Sequence, residues 1–304
     1  MLDFRYRRMS RMSFGSDLKE KFDILTRGSR YIEVELFTKL QDALILLEKS
    51  YGPYGIKLIH GDRSKVTFTV SSNHVTGTMG TTKKRELADM FFVVMSLSKK
   101  KIRLFFLQNK SYADFMPNHM FQADLIQLDL LKNRLEFEYK GRVNNILEKA
   151  KMPSIASYGV FYWDKKFNYD MAYMRADSID PVKYSGMSLS RTVQSNAAWG
   201  MKYRVNGHRQ LDGCITLEEF ADGMIDMTIG EPVCCLKAIG YICGYEIETM
   251  CRELLSDDEK GAWDARDLEW DEKSISNQYG KVKGIATKGI TIINADTLKC
   301  NDDK

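Results

Sequence analysis

ELADMFFVVMSLSKKKIRLFFLQNK, residues 86–110, is the stretch whose reading decides the fold. Residues 86–97 are too uniformly apolar to be amphipathic and read as a central strand buried on both faces. SKKK, residues 98–101, is a basic turn. Residues 102–110 form a second buried strand that turns polar only at Gln108, Asn109 and Lys110. Folding the two strands into an antiparallel hairpin brings Asp89, near the start of the first, to the end of the second. Side chains alternate along a strand, so Gln108 and Lys110 share a face. An acid, an amide and a lysine thus gather at one end of an otherwise apolar sheet. Burying them unpaired costs on the order of several kcal/mol, so the carboxylate needs a partner. Hard oxygen donors such as Asp and an amide carbonyl suit Mg²⁺ or Mn²⁺.

Working outward, Ile32, Phe37, Leu40, Ala43, Leu44 and Leu47 recur at three- and four-residue steps and predict an amphipathic helix over 31–50. YGPYG, residues 51–55, ends it. Strands are expected at 56–60 and 65–70, with a Gly/Ser/Thr-rich loop over 71–82. After the hairpin come a helix over about 118–132 and a strand at 135–139. The order is that of a mixed α/β unit over residues 31–152, closed by KMPS at 151–154. Residues 1–30 read as a basic arm or short helix. Residues 153–304 read as a C-terminal α+β region of no assigned role, with strands at 158–163, 170–175 and 284–293 and helices at 217–229 and 233–255.

Charge is uneven along the 304 residues. The net +4 conceals a local +6 over 83–110, a local +4 over 1–30 and a local −6 over 257–272. Basic clusters of this size engage phosphates, and they also occur as plain solvated surface. No apolar run approaches the roughly 20 residues of a membrane helix. Six cysteines without a CxxC pair fit a reducing, cytoplasmic setting. The histidines His60, His74, His119 and His208 are scattered without metal-ligand spacing. Cys234, Cys235, Cys243 and Cys251 read as small buried hydrophobes.

Residues 86–110 resemble the core of the PD-(D/E)xK, or restriction-endonuclease-like, nuclease superfamily, and more narrowly its Q-x-K branch in bacterial restriction and phage-defence nucleases. In that pattern an Asp opens the second core strand, a (D/E/Q)-x-K triplet closes the third, and a helix and a further strand follow. NHMFQADLIQLDLLKNRLEFEY, residues 118–139, supplies the last two here. The resemblance covers roughly residues 31–140. It implies an α/β, restriction-endonuclease-like mixed sheet flanked by helices, and a Mg²⁺-dependent DNA endonuclease of anti-phage defence or restriction. A catalytically inactive nuclease-like domain that binds nucleic acid or scaffolds a defence complex is the alternative.

Carried over residue by residue, Asp89, Gln108 and Lys110 are the catalytic set. Asp89 and Gln108 are expected to hold the metal, with the Asn109 carbonyl beside them and Lys110 orienting the attacking water. The first helix of that fold often supplies a Glu, and both Glu33 and Glu35 fit that place. Gln127 resembles a glutamine of the Q-x-K branch and is grouped with Lys83, Lys84 and Arg85 as a nucleic-acid contact. No Pro precedes the Asp, and Gln108 removes one negative charge from the usual metal site. Glu86 or Glu35 is then expected as an extra ligand. Glu86 and Asp89 are three apart, so Glu86 joins only if the strand is irregular there. DNA is the partner implied, a defence-system protein and an oligomer are further partners the resemblance allows, and a membrane is not among them.

Overall fold

The structure is a computed structural model and describes residues 13–51, 56–60, 65–72, 78–112, 120–163, 168–181, 192–195, 202–205, 208–211, 214–280, 285 and 287–299. His74, His119 and residues 1–12 of the basic arm lie outside them.

In chain order the first half contains α1 (Phe14–Thr26), α2 (Glu33–Tyr51), β1 (Ile56–His60), β2 (Val66–Thr69), β3 (Thr82–Arg85), β4 (Ala88–Ser96), β5 (Lys101–Ser111), β6 (Met120–Gln122), α3 (Leu125–Lys132), β7 (Phe137–Tyr139), β8 (Arg142–Asn144) and α4 (Ile146–Lys149). The second half contains β9 (Ala156–Trp163), β10 (Tyr169–Arg175), β11 (Ile179–Pro181), β12 (Thr192–Ser195), β13 (Lys202–Val205), β14 (His208–Leu211), α5 (Leu217–Ile225), β15 (Glu231–Val233), α6 (Leu236–Cys243), α7 (Tyr245–Glu253), α8 (Asp257–Asp267), α9 (Glu272–Tyr279), β16 (Thr287–Asn294) and α10 (Ala295–Lys299).

The hairpin is the centre of the molecule. All nine residues of β4 are buried, and β5 is buried from Ile102 to Asn109. The two pair antiparallel from Met90–Leu107 to Ser96–Lys101. Around them a seven-stranded mixed sheet runs β1-β16-β4-β5-β9-β10, with β15 pairing the first part of β5. β16 lies parallel to β4, and β9 parallel to β5.

Strand alternation divides the core into two layers. Phe91, Val93, Leu104, Phe106, Ile290 and Ile292 face one layer with α3, α6, α7, α8 and α9. Met90, Phe92, Val94, Phe105, Leu107 and Ile293 face the other, with α1, α2 and α5. The protein is therefore mixed α/β with a sheet covered on both faces, which is why its central strands show no polar face.

Three sequence expectations change. The division at residue 152 is no boundary, because β9, β10, β15 and β16 build the same sheet as β4 and β5. Over residues 14–26 the short helix that the sequence allowed for 1–30 is present, and its Phe14, Leu18 and Phe22 enter the core. The helix after the motif begins only at Leu125, where the Asp124 carboxylate accepts from the Ile126 and Gln127 N–H groups, and β6 precedes it. Likewise residues 233–255 are not one helix. Gly244, at φ +108°, separates α6 from α7, a turn L-residues with side chains rarely adopt. The acidic stretch 257–272 forms α8 and the start of α9, where Asp264 and Asp267 pair with Arg252 and Trp263 is fully buried.

Candidate active site

Asp89 falls opposite Gln108, one step beyond the Met90–Leu107 pair. On its other side the register pairs Thr287 with Ala88 and Gly289 with Met90, which sets Lys288 beside Asp89. Gln108 in turn lies opposite Tyr158 of β9. Lys288, Asp89 and Gln108 each stand two residues from a core residue of one layer (Ile290, Phe91, Phe106), so the alternation points all three to that face. The result is a polar row across adjacent strands at one sheet end.

Asp89 is only 4% exposed, and both its oxygens are engaged. Oδ2 accepts from Gln108 Nε2 at 2.6 Å and from the Asn109 N–H at 2.8 Å. Oδ1 accepts from Lys288 Nζ at 2.6 Å. Burial pushes the Asp89 carboxyl above its ordinary value. Lys288, the Asn109 N–H and the charge of Lys110 oppose that rise without cancelling it. For Lys288, burial acts downward, but Asp89 and Glu86 outweigh it and hold the ammonium above its usual range.

Gln127 fixes the sense of the row. Its Nε2 donates to the Glu86 carbonyl at 2.9 Å and to Gln108 Oε1 at 2.7 Å. A backbone carbonyl only accepts, so the Gln127 nitrogen must face that way. Gln108 then presents its oxygen to Gln127 and its nitrogen to Asp89. In this arrangement Gln108 is a donor to Asp89, not a metal ligand. Gln127, expected on the nucleic acid, is an internal brace and is buried.

The two candidate helix acids separate cleanly. Glu35 Oε2 accepts from the Ile32 N–H at 2.9 Å, three residues back, and is occupied with starting α2. Glu33 Oε1 accepts from Lys110 Nζ at 3.0 Å. The sequence offered no basis for choosing, because both acids sit in a first turn where the helix dipole favours them. Glu86 joins the site because β4 starts only at Ala88, leaving Glu86 free of strand alternation. Its Oε2 lies 2.9 Å from Lys288 Nζ.

Lys83, Lys84 and Arg85 form β3, on a separate four-stranded sheet in the order β3-β2-β7-β8. Arg85 donates to Asp124 at 2.7 Å, so one of its faces is committed to the start of α3. Lys84 is exposed and Lys83 is half-buried.

Among the described residues no three His, Cys, Asp or Glu side chains form a metal-binding group. The donors nevertheless fit a cation, and the structure supplies a stand-in: the Lys288 ammonium bridges Glu86 Oε2 and Asp89 Oδ1. Two carboxylates converging on one point are hard donors of the kind Mg²⁺ takes. Glu86 and Asp89 are the residues that would hold it, not Gln108 or Glu35.

Sequence reasoning missed Lys288. Its signal was the run KGITII at residues 288–293, in which Lys288 shares the alternation of Ile290 and Ile292 and so heads the buried face of the strand. No protein-family model matches this chain, and no curated protein or solved structure does either. No helix of the described residues is long and apolar enough to cross a membrane.

Proposed function

We propose that the chain is a metal-dependent endonuclease that hydrolyses DNA phosphodiesters at the end of the β4–β5 hairpin. The observation carrying this reading is the meeting of Glu33, Asp89, Gln108, Lys110 and Gln127 in two hydrogen-bonded groups at one sheet end. These residues come from α2, β4, β5 and α3. The placement in anti-phage defence or restriction rests on the sequence resemblance alone.

When bound at Asp89 and Glu86, Mg²⁺ or Mn²⁺ supplies a Lewis acid for a phosphate oxygen. The chain's own residues do the rest. Lys110, held by Glu33, offers an ammonium that donates to a non-bridging phosphate oxygen and steadies the attacking water beside it. Gln108 and the Asn109 N–H keep the Asp89 carboxylate in one orientation. Gln127 keeps Gln108 from turning.

The test is incubation of the purified chain with supercoiled plasmid in Mg²⁺, in Mn²⁺ and in EDTA. Nicking or linearisation in metal, and none in EDTA, is the expected result. Gel-shift binding with no cleavage in either metal would transfer the site to the second reading, a catalytically inactive nuclease-like domain. The orientation of Gln108, nitrogen toward Asp89, is what favours that second reading.

A further inference from the structure

We infer that Lys288 is the resident cation of this site: it holds Glu86 and Asp89 together in the absence of metal and must leave them before a divalent ion can load. The inference rests on the nuclease reading and adds a threshold to it, set by the C-terminal strand.

Two observations and one physical argument carry it. The Lys288 ammonium sits 2.6 Å from Asp89 Oδ1 and 2.9 Å from Glu86 Oε2, and so occupies the point on which the two carboxylates converge. Asp89 Oδ2 is already filled by Gln108 and Asn109, so a metal has no second lone-pair set on Asp89 to use instead. An ion bound at roughly 2.0–2.1 Å from those oxygens would coincide with the ammonium or touch it, and two cations in contact repel strongly where water is scarce. The positions are mutually exclusive.

Lys288 also has somewhere to go. The strand that carries it, β16, is fixed between β1 and β4, but its side chain is 31% exposed and ends a flexible four-carbon stem. Asp89, 5% exposed at its side chain, cannot follow. Loading therefore exchanges one cation for another over a stationary carboxylate. Until that exchange, the buried charge of Asp89 is compensated by the protein itself.

The experiment is thermal unfolding of the full chain as a function of Mn²⁺ and Ca²⁺ concentration, for wild type, Lys288→Met and Lys288→Gln, with Asp89→Asn as control. The glutamine variant removes the charge but retains a hydrogen-bond donor for Asp89, in case the methionine variant does not fold. The midpoint of the metal response is expected to fall by about tenfold or more in the Lys288 variants. Asp89→Asn should remove the response. A variant that unfolds without metal and is rescued by it would support the inference equally. Equal midpoints in wild type and variants would overturn the role of Lys288 and leave the metal site standing. No metal response in any folded protein would overturn the metal site as well. Variants that unfold and that metal does not rescue would make Lys288 a structural residue only.

Discussion

Strand β5 carries a buried charge problem at each end, and the two ends solve it differently. Near its start, Arg103 is 1% exposed. Its Nη1 donates to the Gly230 carbonyl at 2.8 Å, and Glu231 nearby is 3% exposed and accepts from the Met152 N–H. Burial pulls Arg103 down to about 10, with Glu231 opposing, and burial pushes Glu231 up. Both charges are closed off from solvent, each against a backbone group. At the far end Asp89 is equally buried, yet the cations on that end of the site open toward solvent. Lys288 is 31% exposed at its side chain and Lys110 17%. A charge enclosed on all sides serves only the fold, whereas a charge whose lysine partners reach partly into solvent can exchange them.

The largest effect is expected at the closed end. Arg103→Met should destabilise the chain by on the order of 3 kcal/mol, because it leaves the buried Gly230 carbonyl without its donor and removes the cation whose field opposes the burial of Glu231. Denaturant unfolding measures this, and cleavage per folded molecule should be unchanged. A mild stability loss with a large activity loss would erase the distinction between the two ends.

At the open end, Lys110→Ala should reverse that pattern. Losing one donor to developing charge costs on the order of 100- to 1000-fold in rate. Stability should move little, since the Lys110–Glu33 pair is partly exposed and such pairs contribute about 0–1 kcal/mol. Single-turnover cleavage beside a melting curve reads both. Asp89 is a different case. Buried and accepting from Gln108, Asn109 and Lys288, it holds that end of the sheet together, so its replacement should cost stability too.

That contrast shows what the sequence carried. Facing Asp89 with Gln108 needed only the length of a hairpin and the two-residue period of a strand. The helical period of α2 was equally plain. The pairing of Lys288 with Asp89 was not legible, because Lys288 arrives from 199 residues away on a strand whose neighbours no local pattern names. The same blindness placed a domain boundary at residue 152. Parallel pairing such as β16 on β4 or β9 on β5 leaves no turn in the sequence to read. The choice of Glu33 over Glu35 was hidden for another reason, since it depends on which acid Ile32 claims.

Gln108→Glu sharpens the open end. A carboxylate has no N–H to give Asp89, so two acids would face each other across the strand pair. Without metal the melting temperature should fall by several degrees, as one lost charge-assisted bond of about 1.5–3 kcal/mol implies. Mn²⁺ should restore it, and cleavage should persist or rise. A drop that metal does not reverse would support the inactive domain.

Glu231 offers a pH test of the closed end. Its folded value is raised above 4.5 by burial. The native state therefore holds a proton that the unfolded state has released over that window, and this group's share of stability is lost as pH rises from 4.5 through the folded value. Glu231→Gln removes the loss. Its stability difference from wild type should shift in favour of the variant across that window, by about 1.4 kcal/mol for each pH unit between the unfolded and folded values. A flat difference would mean that Glu231 titrates as it does unfolded.

The smallest effect concerns β3, outside both ends. Lys84 is exposed and Lys83 half-buried, while Arg85 is already paired with Asp124. If the first two touch phosphates, Lys83→Ala with Lys84→Ala should flatten the slope of log K against log salt by about 0.9 for each phosphate no longer neutralised. Binding should weaken alike on all sequences, because phosphate contacts position DNA without reading it. Adding Arg85→Ala should flatten the slope by less than another full phosphate's share, since its guanidinium must first leave Asp124. That substitution should also cost stability at the start of α3, where Asp124 accepts from Ile126 and Gln127. Fluorescence anisotropy on one duplex from about 50 to 200 mM salt, at constant metal, yields the slopes of wild type and both variants. An unchanged slope in the double variant would make Lys83 and Lys84 plain surface.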